Sequence, residues 1–403
     1  MFPSDITMYF IYTFVFAVFP ALVLNIYLIT EEDSYQAKKD DGGKIILKVI
    51  KTNTLSTNII EKKVNNFIQT YNKNCKYNNR ISKHINNGIF TDSKKYNEVN
   101  DDYHYKILLN TPNNTIYFQF KHKYIGGAYI RDLSSSLIDT EQSANEKFYP
   151  HSSFLNIIYL AKLLYNYRTI PKIDTAHIEK YSKLNLPQTE YCKKIYKQPV
   201  LLKLIDSPSE IRRYINTYTI DRIIDRTSNT HSSRTIIIFN ALKTLQKALA
   251  LNRPIVCYLP IAFNHVKGIN NNIGIMFIDL REEDTINTFN KRFEENKYQA
   301  LATNFLLVNN VHKLFGYNAE KVRNLVDVVL TSTYYTCDDM NEDKESRLYW
   351  SYENVGNYPI YFAISSCILK DKIVVSQTIT SNAGEIKLPA EFKAIGYDYF
   401  VPE

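Results

Sequence analysis

One uninterrupted apolar segment near the N-terminus constrains this chain more than any other feature. Residues 8–29 (MYFIYTFVFAVFPALVLNIYLI) contain no charged side chain. About 22 residues at a rise of 1.5 Å per residue span roughly 33 Å, enough for one helix to cross the hydrocarbon core of a bilayer. Tyr9, Tyr12 and Tyr27 lie near its ends, where aromatic side chains favour the membrane–water interface. The sequence therefore predicts a membrane anchor over residues 1–30.

A cleaved signal peptide is the alternative to an anchor. A signal peptide would begin with a basic region and end at small residues, whereas this chain begins MFPSDITM and leaves the apolar segment as LITEEDS. Lysines follow the segment within about 20 residues and none precedes it, so the positive-inside rule keeps the larger part of the chain in the cytoplasm. We therefore expect a single-pass membrane protein whose bulk is cytoplasmic.

Charge and cysteine usage exclude several classes of protein. The chain has 49 Lys and Arg against 41 Asp and Glu, a net charge of +8, with no block of like charges, so a nucleic-acid partner is not expected. The five cysteines are far apart and the histidines lack metal-ligand spacing, so neither a metal site nor a disulfide framework is expected. The 32 tyrosines accompany many Asn, Ile and Lys, as in the AT-rich genome of a large DNA virus or a parasite.

The remainder of the chain alternates strand-like and helix-like segments behind a polar tether over residues 31–43. Predicted strands lie at 44–52, 103–109, 115–121, 255–262, 273–280, 330–336, 347–352, 358–369 and 371–381. Predicted helices lie at 58–71, 128–139, 153–166, 232–251, 283–299 and 319–329. Residues 72–102 are rich in Asn and Lys and are expected to be irregular.

Two halves are predicted from this order of elements. Residues 170–200 contain three prolines and are typical of a crossover, which divides the chain into half-domains at 44–195 and 196–403. The predicted fold class is α/β, with two similar half-domains of mixed sheets and flanking helices, preceded by one N-terminal transmembrane helix.

One short unit combines a strand, a histidine, a glycine turn and a helix. Strand 115–121 is followed by HKYIGG at 122–127 and then by the helix at 128–139. A histidine held at a strand end by a sharp turn can present a ring nitrogen as a general base. It can equally be an ordinary hydrogen-bonded histidine, and the residues alone leave both interpretations open.

This unit resembles the H-H-x-x-x-D-G segment of the CoA-dependent acyltransferase superfamily, which includes chloramphenicol acetyltransferase, the condensation domains, the carnitine acyltransferases and the wax ester synthases. The second half is similar in the order of its elements: a long helix precedes NRPIVCYLPIAF, then come NNIGIMFIDL, a helix, VVLTSTYY and a final hairpin. The resemblance covers roughly residues 44–385 and rests on order and spacing more than on identity.

The resemblance implies roles for individual residues. His122 stands at the position of the family's catalytic histidine, and Gly127 matches the closing glycine of the motif. Ser332 or Thr333 stands where some members place a hydroxyl that stabilises the oxyanion. Gly126 occupies the position of the motif's Asp, which in the family usually pairs with an Arg to hold the loop, and this departure weakens the case for a well-positioned base.

The implied activity is acyl transfer from acyl-CoA to a hydroxyl or amine of a small or lipid acceptor at a membrane. Acyl-CoA would be a substrate, and no permanently bound cofactor is implied. The alternative is a catalytically inactive acyltransferase-fold protein with a structural or interaction role at a membrane, in keeping with a viral origin. Tyr or Phe side chains that filled the tunnel between the halves would favour this alternative.

Overall fold

Two mixed β-sheets with flanking helices make up the described part of the chain, which confirms the predicted α/β class. The computed structural model describes residues 43–50, 57–74, 81, 87–99, 103–110, 112–122, 124–138, 211–221, 233–249, 254–263, 272–308, 326–336, 346–353, 358–369 and 372–400. The sheets have five and seven strands.

The first sheet has the strand order β2-β3-β4-β1-β9. Its strands are β1 (Lys44–Ile50), β2 (Gly88–Phe90), β3 (Tyr105–Asn110), β4 (Thr115–Lys121) and β9 (Arg347–Glu353). The helices of this part are α1 (Thr57–Asn74), α2 (Ser93–Glu98) and α3 (Gly127–Ile138). Only the β2–β3 pair is parallel, and this pair makes the sheet mixed.

Helix α1 packs on this sheet through one apolar face. Ile60, Val64, Phe67 and Tyr71 recur at intervals of three or four residues, which places them on one side of a helix. All four are buried in the same core as β1, β4 and α3. The burial of this face stabilises the helix, since its mean hydropathy is low and most of its other residues are polar.

The β3–β4 hairpin has the turn chemistry that its sequence predicts. Asn114 has φ of 47°, in the left-handed region that asparagine tolerates better than most residues. The backbone N–H of Asn113 and the side-chain oxygen of Asn110 are 3.4 Å apart across the turn. The strand β4 that leads to His122 is thus paired on both sides, with β3 and with β1.

The second sheet has the strand order β12-β5-β11-β10-β8-β6-β7. Its strands are β5 (Arg212–Asp221), β6 (Ile255–Ala262), β7 (Ile273–Leu280), β8 (Val328–Thr336), β10 (Ile360–Ile368), β11 (Lys372–Ser381) and β12 (Lys393–Ile395). Strand β8 is parallel to both of its neighbours, β10 and β6. Helices α4 (Ser233–Leu249) and α5 (Ile286–Val308) share one core with a single face of this sheet.

The other face of the second sheet is buried against the first half of the molecule. Val329 and Tyr335 of β8 belong to the same core as α1, α3 and β4. Strand β9 follows β8 in sequence, yet it pairs with β1 of the first sheet, with Trp350 opposite Leu47. The strand lies between two strands of the second sheet in sequence and joins the two sheets into one structure.

Two predictions of secondary structure were wrong. Residues 72–102 contain β2 and α2 rather than irregular chain alone, because Tyr96 of α2 is buried against Leu108 and Tyr117. The predicted end of the helix at 319–329 is wrong, because Val328 and Val329 are the first residues of β8. A run of valines is compatible with either structure, and pairing with β10 and β6 decides for the strand.

The C-terminal elements and β5 were not predicted. Strand β5 is polar (RRYINTYTID) and lies between β11 and the short β12. Its hydrogen bonding to β11 over ten residue pairs defines it as a strand, although its apolar pattern is weak. After β12, the short 3₁₀ helix Tyr397–Phe400 places Phe400 against β1 and β9.

The predicted anchor at 1–30 and most of the tether at 31–43 lie outside the described residues, as do the helix at 153–166 and the crossover at 170–200. Within the described ranges no helix is both long and apolar enough to cross a membrane. The boundary between half-domains at residue 195 also lies outside them and stays a prediction.

Candidate active site

A tight turn follows β4 and presents His122. The backbone N–H of His122 donates to the carbonyl of Gly43 at 2.9 Å, which extends the pairing of β4 with the β1 side by one residue. The carbonyl of Lys121 then accepts from the N–H groups of Tyr124 (3.1 Å) and Ile125 (3.4 Å). His122 therefore lies between a fixed strand end and a hydrogen-bonded turn.

Two aromatic contacts hold this turn from the outside. The Tyr71 hydroxyl of α1 donates to the carbonyl oxygen of Tyr124. The ring of Tyr124 stacks on that of His104, with centroids 3.7 Å apart and planes 18° from parallel. Gly126 carries no side chain that could hold the turn, and these contacts to α1 and to His104 just before β3 support it.

Helix α3 begins directly after the turn. The carbonyl of Gly126 accepts from the N–H groups of Tyr129 (3.1 Å) and Ile130 (3.2 Å), which makes Gly126 the N-cap residue of α3. Glycine is acceptable at this position. A Cβ atom built at Gly127 would meet nothing within 4 Å, so the second glycine of the pattern is not required by packing.

The ring of His122 has a defined orientation. Its Nδ1 lies 3.3 Å from the carbonyl oxygen of Ile125. A carbonyl oxygen only accepts, so Nδ1 carries the proton in the neutral ring and donates it. Nε2 then carries the lone pair, and within the described ranges no hydrogen bond engages it. This is the tautomer that a general base acting through Nε2 needs.

The environment of His122 favours the neutral ring. Desolvation lowers its pKa below the ordinary value of 6.5, and hydrogen bonds to the backbone of His122 itself and of Ile125 oppose the shift without reversing it. At neutral pH the imidazole is therefore mostly unprotonated and able to accept a proton.

Ser332 and Thr333 lie on opposite faces of β8, because successive side chains of a strand alternate. Ser332 shares its face with Leu330, which packs against α4 and α5. Thr333 shares its face with Tyr335, which packs toward the first sheet. Only one of the two hydroxyls can therefore face a given ligand.

Their hydrogen bonding also separates these two residues. The hydroxyl of Thr333 donates to the carbonyl of Ile364 at 3.3 Å and lies 3.2 Å from the hydroxyl of Ser365. The buried hydroxyl of Ser332 makes no hydrogen bond of good geometry, although it lies close enough to the Tyr334 phenol to oppose the rise of that group's pKa. Of the two residues, Ser332 is therefore the one whose hydroxyl is better able to donate to a ligand. Across the described residues no hydrogen bond joins His122 to either of them, so their predicted cooperation is untested.

A second group of polar side chains was missed from the sequence. Arg234 of α4 lies over the ring of Tyr334, with the guanidinium carbon 5.5 Å from the ring centroid. Buried polar atoms of Arg234, Tyr334, Ser332 and Ser366 make no hydrogen bond of good geometry, although the three hydroxyl groups lie close to one another. These residues come from three separate elements and match no motif, so no signal along the chain could have grouped them.

Aromatic side chains are dense where the two sheets meet. Tyr352 of β9 stacks on Tyr361 of β10 with centroids 5.2 Å apart. Tyr358 lies edge-on to Tyr361 and tilted against Tyr258. The hydroxyl of Tyr352 lies 2.8 Å from that of Thr331. Tyrosines thus occupy space between the sheets in this part of the molecule.

No group of three His, Cys, Asp or Glu side chains that could hold a metal ion occurs within the described ranges.

Comparison with known proteins finds likeness in structure alone. No protein-family model and no curated protein matches the chain. The starter condensation domain of rhizomide synthetase RzmA, solved as a mutant in complex with C8-CoA, is similar with a TM-score of 0.45 and 8% identity over 89% of this chain and 87% of that one. A mutant of the same domain in a "product-released" conformation has a TM-score of 0.44 and 10% identity over 89% and 88%.

These structural neighbours are condensation domains, one of the groups in the superfamily that the sequence resembles.

Proposed function

We propose that this chain is an acyltransferase in which His122 is the general base for transfer from acyl-CoA to a hydroxyl or amine. The observation that carries the proposal is the ring orientation: Nδ1 faces the carbonyl of Ile125 at 3.3 Å and leaves Nε2 with its lone pair. A lowered pKa keeps that lone pair available at neutral pH. A histidine that merely capped a strand end would need neither feature.

The chemical step follows from this geometry. Nε2 of His122 removes the proton from the acceptor O–H or N–H as the acceptor attacks the thioester carbonyl carbon, which forms a C–O or C–N bond and an oxyanion. Collapse of this intermediate breaks the C–S bond and expels the CoA thiolate, which takes the proton back from Nε2. The hydroxyl of Ser332 is the better of the two candidate donors to the oxyanion, since no hydrogen bond of good geometry engages it whereas Thr333 is already hydrogen-bonded. This role requires the thioester to reach the face of β8 on which Ser332 lies, the face that packs against α4 and α5.

The proposal includes the substrates and the location that the sequence implies. Acyl-CoA is a substrate rather than a bound cofactor, and the acceptor is a small molecule or a lipid. The anchor predicted at residues 1–30 would hold the cytoplasmic bulk of the chain at a membrane surface, where a lipid acceptor is within reach.

Release of free CoA thiol from acetyl-, octanoyl- and palmitoyl-CoA by the full-length protein tests the activity, with water, an alcohol or an amine as acceptor. His122→Ala and His122→Gln should each lower the rate by about 10²-fold or more, the usual contribution of a general base. Ser332→Ala should lower kcat by a similar factor through the lost oxyanion donor. Thr333→Val, on the opposite face of the same strand, is the matched control and should leave kcat nearly unchanged.

A rate untouched by both His122 substitutions would rule out this residue as the base. Equal losses in Ser332→Ala and Thr333→Val would point to a general disturbance of β8 instead of an oxyanion donor.

A second function, from another class, has an observation in its favour. Tyr352, Tyr361 and Tyr358 pack together between the sheets, where a substrate passage would have to run. A catalytically inactive acyltransferase-fold protein with a structural or interaction role at a membrane would need no passage. Full-length protein that floats with liposomes, yet neither binds nor cleaves any of the three acyl-CoA esters, would support this second function.

A further inference from the structure

A guanidinium group without an acceptor lies against the helix-covered face of the second sheet. Arg234 is in the first turn of α4, and its guanidinium carbon lies 5.5 Å from the centroid of the Tyr334 ring. Its Nε is buried and has no hydrogen-bond partner. Buried arginines are normally paired with a carboxylate or with several carbonyl oxygens, so this group lacks the partner its chemistry calls for.

Three buried hydroxyl groups lie close together on the face of the sheet that Arg234 contacts: those of Tyr334, Ser332 and Ser366. Tyr334 and Ser332 are two residues apart on β8 and lie on one face, and Ser366 is the direct neighbour of Tyr334 in the parallel pairing of β8 with β10. All three hydroxyl oxygens are buried without a hydrogen bond of good geometry, and the hydroxyls of Ser366 and Ser332 lie close enough to the Tyr334 phenol to oppose the rise of its pKa. Ser366 has no exposed surface at all. Neighbouring strands are about 4.8 Å apart, so these donors lie within one ligand's reach.

One positive charge in this region is uncompensated within the described ranges. Desolvation lowers the pKa of Arg234, and the charge of Arg131 on α3 lowers it further, while Tyr334 acts in the opposite direction. Arg131 is itself paired with Asp132 at 2.6 Å. Desolvation also raises the pKa of Tyr334, so its phenol stays protonated and can donate. The positive end of the α4 dipole adds to the same potential.

We propose that Arg234, Tyr334, Ser332 and Ser366 form a binding site for the carboxylate group of a small molecule. A carboxylate carries one negative charge, which the single guanidinium balances, and its two oxygens can accept from the planar guanidinium fork and from hydroxyl donors together. A phosphate dianion would leave one charge unbalanced in a buried site. The site shares Ser332 with the proposed acyl transfer but includes no contact with His122, so substitutions at Arg234, Tyr334 and Ser366 test it separately from the proposed base.

The cost of the empty arrangement supports a ligand. Each buried polar group without a partner destabilises the folded protein, and here four such groups converge on one place from β8, β10 and α4. Apolar residues would fill the same space without that cost. Concentrated unsatisfied groups of this kind are expected where a bound molecule completes the hydrogen bonding.

Ligand-observed NMR and thermal melting of the full-length protein test the site. Sodium acetate and sodium propionate are the probes, and sodium chloride at equal ionic strength is the blank. Inorganic phosphate is tested separately as a competing kind of anion. Acetate or propionate should raise the melting temperature relative to chloride. Arg234→Met should weaken carboxylate binding by tenfold or more, and Ser366→Ala and Tyr334→Phe by about threefold to tenfold each. Arg212→Met, at an exposed position on β5, is the charge-matched control and should bind as the wild type does.

The outcomes separate this inference from the proposed function. His122→Ala should lose acyl transfer and keep the carboxylate response. A response to phosphate alone would replace the carboxylate with a phosphate ligand and overturn the proposal, as would no response to any probe. A carboxylate response that survives Arg234→Met would also overturn it. If Arg234→Met fails to fold, the two hydroxyl variants decide, since their loss of one oxygen atom leaves the packing intact.

Discussion

At His122, the occupied ring nitrogen decides what the residue can do. The carbonyl of Ile125 accepts a hydrogen bond from Nδ1–H, and because that carbonyl belongs to the turn, the chain itself sets the tautomer. The sequence placed a histidine at a strand end but left open whether it was catalytic or simply hydrogen-bonded. Both descriptions apply to different atoms of the same ring: Nδ1 is hydrogen-bonded, and Nε2 is available.

The lowered pKa of His122 predicts the pH dependence of acyl transfer. A general base must be neutral, so the rate falls as pH falls through the pKa of the residue in the free protein. Because desolvation lowers this pKa below 6.5, we expect kcat/KM for CoA release to change little above neutral pH and to fall on acidification. The decline on acidification should have its midpoint below that of an exposed histidine.

The check is a pH–rate profile with wild type and His122→Gln side by side. The residual rate of His122→Gln should lack this acidic decline. A midpoint above 6.5, or a decline that His122→Gln shares, would assign the titration to another group.

At the scale of elements, Gly127 and Gly274 differ in how much space the surrounding atoms leave for a side chain. Gly127 opens α3, and a Cβ atom there would meet nothing within 4 Å. Gly274 is the second residue of β7, and a Cβ atom there would lie 1.9 Å from the carbonyl oxygen of Ala300 in α5. The glycine in the sequence motif is thus sterically free, and the one outside any motif allows α5 to approach the sheet.

This difference predicts opposite effects of the same substitution. Gly127→Ala should leave the melting temperature unchanged or slightly raised, since alanine is the better helix former by up to about 1 kcal/mol. Gly274→Ala should lower stability by about 1–3 kcal/mol or more, because backbone must move to admit the methyl group. Thermal melting of the two variants measures this, and the CoA-release rate of Gly127→Ala shows whether the turn keeps its function.

An equal loss of stability in both glycine variants would contradict the packing described for β7 and α5. A lowered CoA-release rate in a fully stable Gly127→Ala would show that the motif's second glycine matters for a reason other than space.

Regular elements with a clear apolar pattern were predicted from the sequence, and those without one were not. The bounds of β6 and β7 were predicted correctly to the residue, because apolar residues dominate both strands. Strand β5 was missed because Arg, Tyr, Asn and Thr alternate along it. It is held mainly by hydrogen bonds to β11 and β12, and such pairing leaves no periodic apolar signal.

At the scale of the whole molecule, a buried arginine ties the two sheets together. Arg213 of β5 donates from Nε to the hydroxyl of Ser351 at 3.1 Å and from Nη2 to the carboxylate of Glu353 at 3.0 Å, both on β9. Nearby, the hydroxyls of Thr217 and Tyr349 are 2.6 Å apart. These bonds join strands of different sheets over more than a hundred residues of chain.

Removal of this link should destabilise the whole molecule. Arg213→Met leaves the carboxylate of Glu353 mostly buried, with a side chain 19% exposed, and we expect a loss of about 2–3 kcal/mol in the free energy of unfolding. Arg212→Met, on the adjacent exposed residue, should change it by no more than about 0.5 kcal/mol. Denaturant unfolding of both variants provides the comparison.

The double variant Arg213→Met with Glu353→Met distinguishes a lost pair from a lost side chain. It should recover part of the stability, since it also removes the mostly buried carboxylate that has lost its bond to Arg213. Equal stability of Arg213→Met and wild type would show that the packing of β9 on β1 alone holds the sheets together.

By itself the sequence determined most of the elements of this protein and the position of His122 at a strand end, because apolar periodicity and turn residues act between near neighbours along the chain. Only the tertiary structure decided that β9 pairs with β1, that Thr333 is hydrogen-bonded to Ile364 while Ser332 lies on the other face of β8, and that Arg234 lies over the ring of Tyr334 with a buried Nε that has no partner. These outcomes depend on contacts between residues far apart in sequence, and the free energy of burial and pairing that selects them exists only once the sheets have assembled.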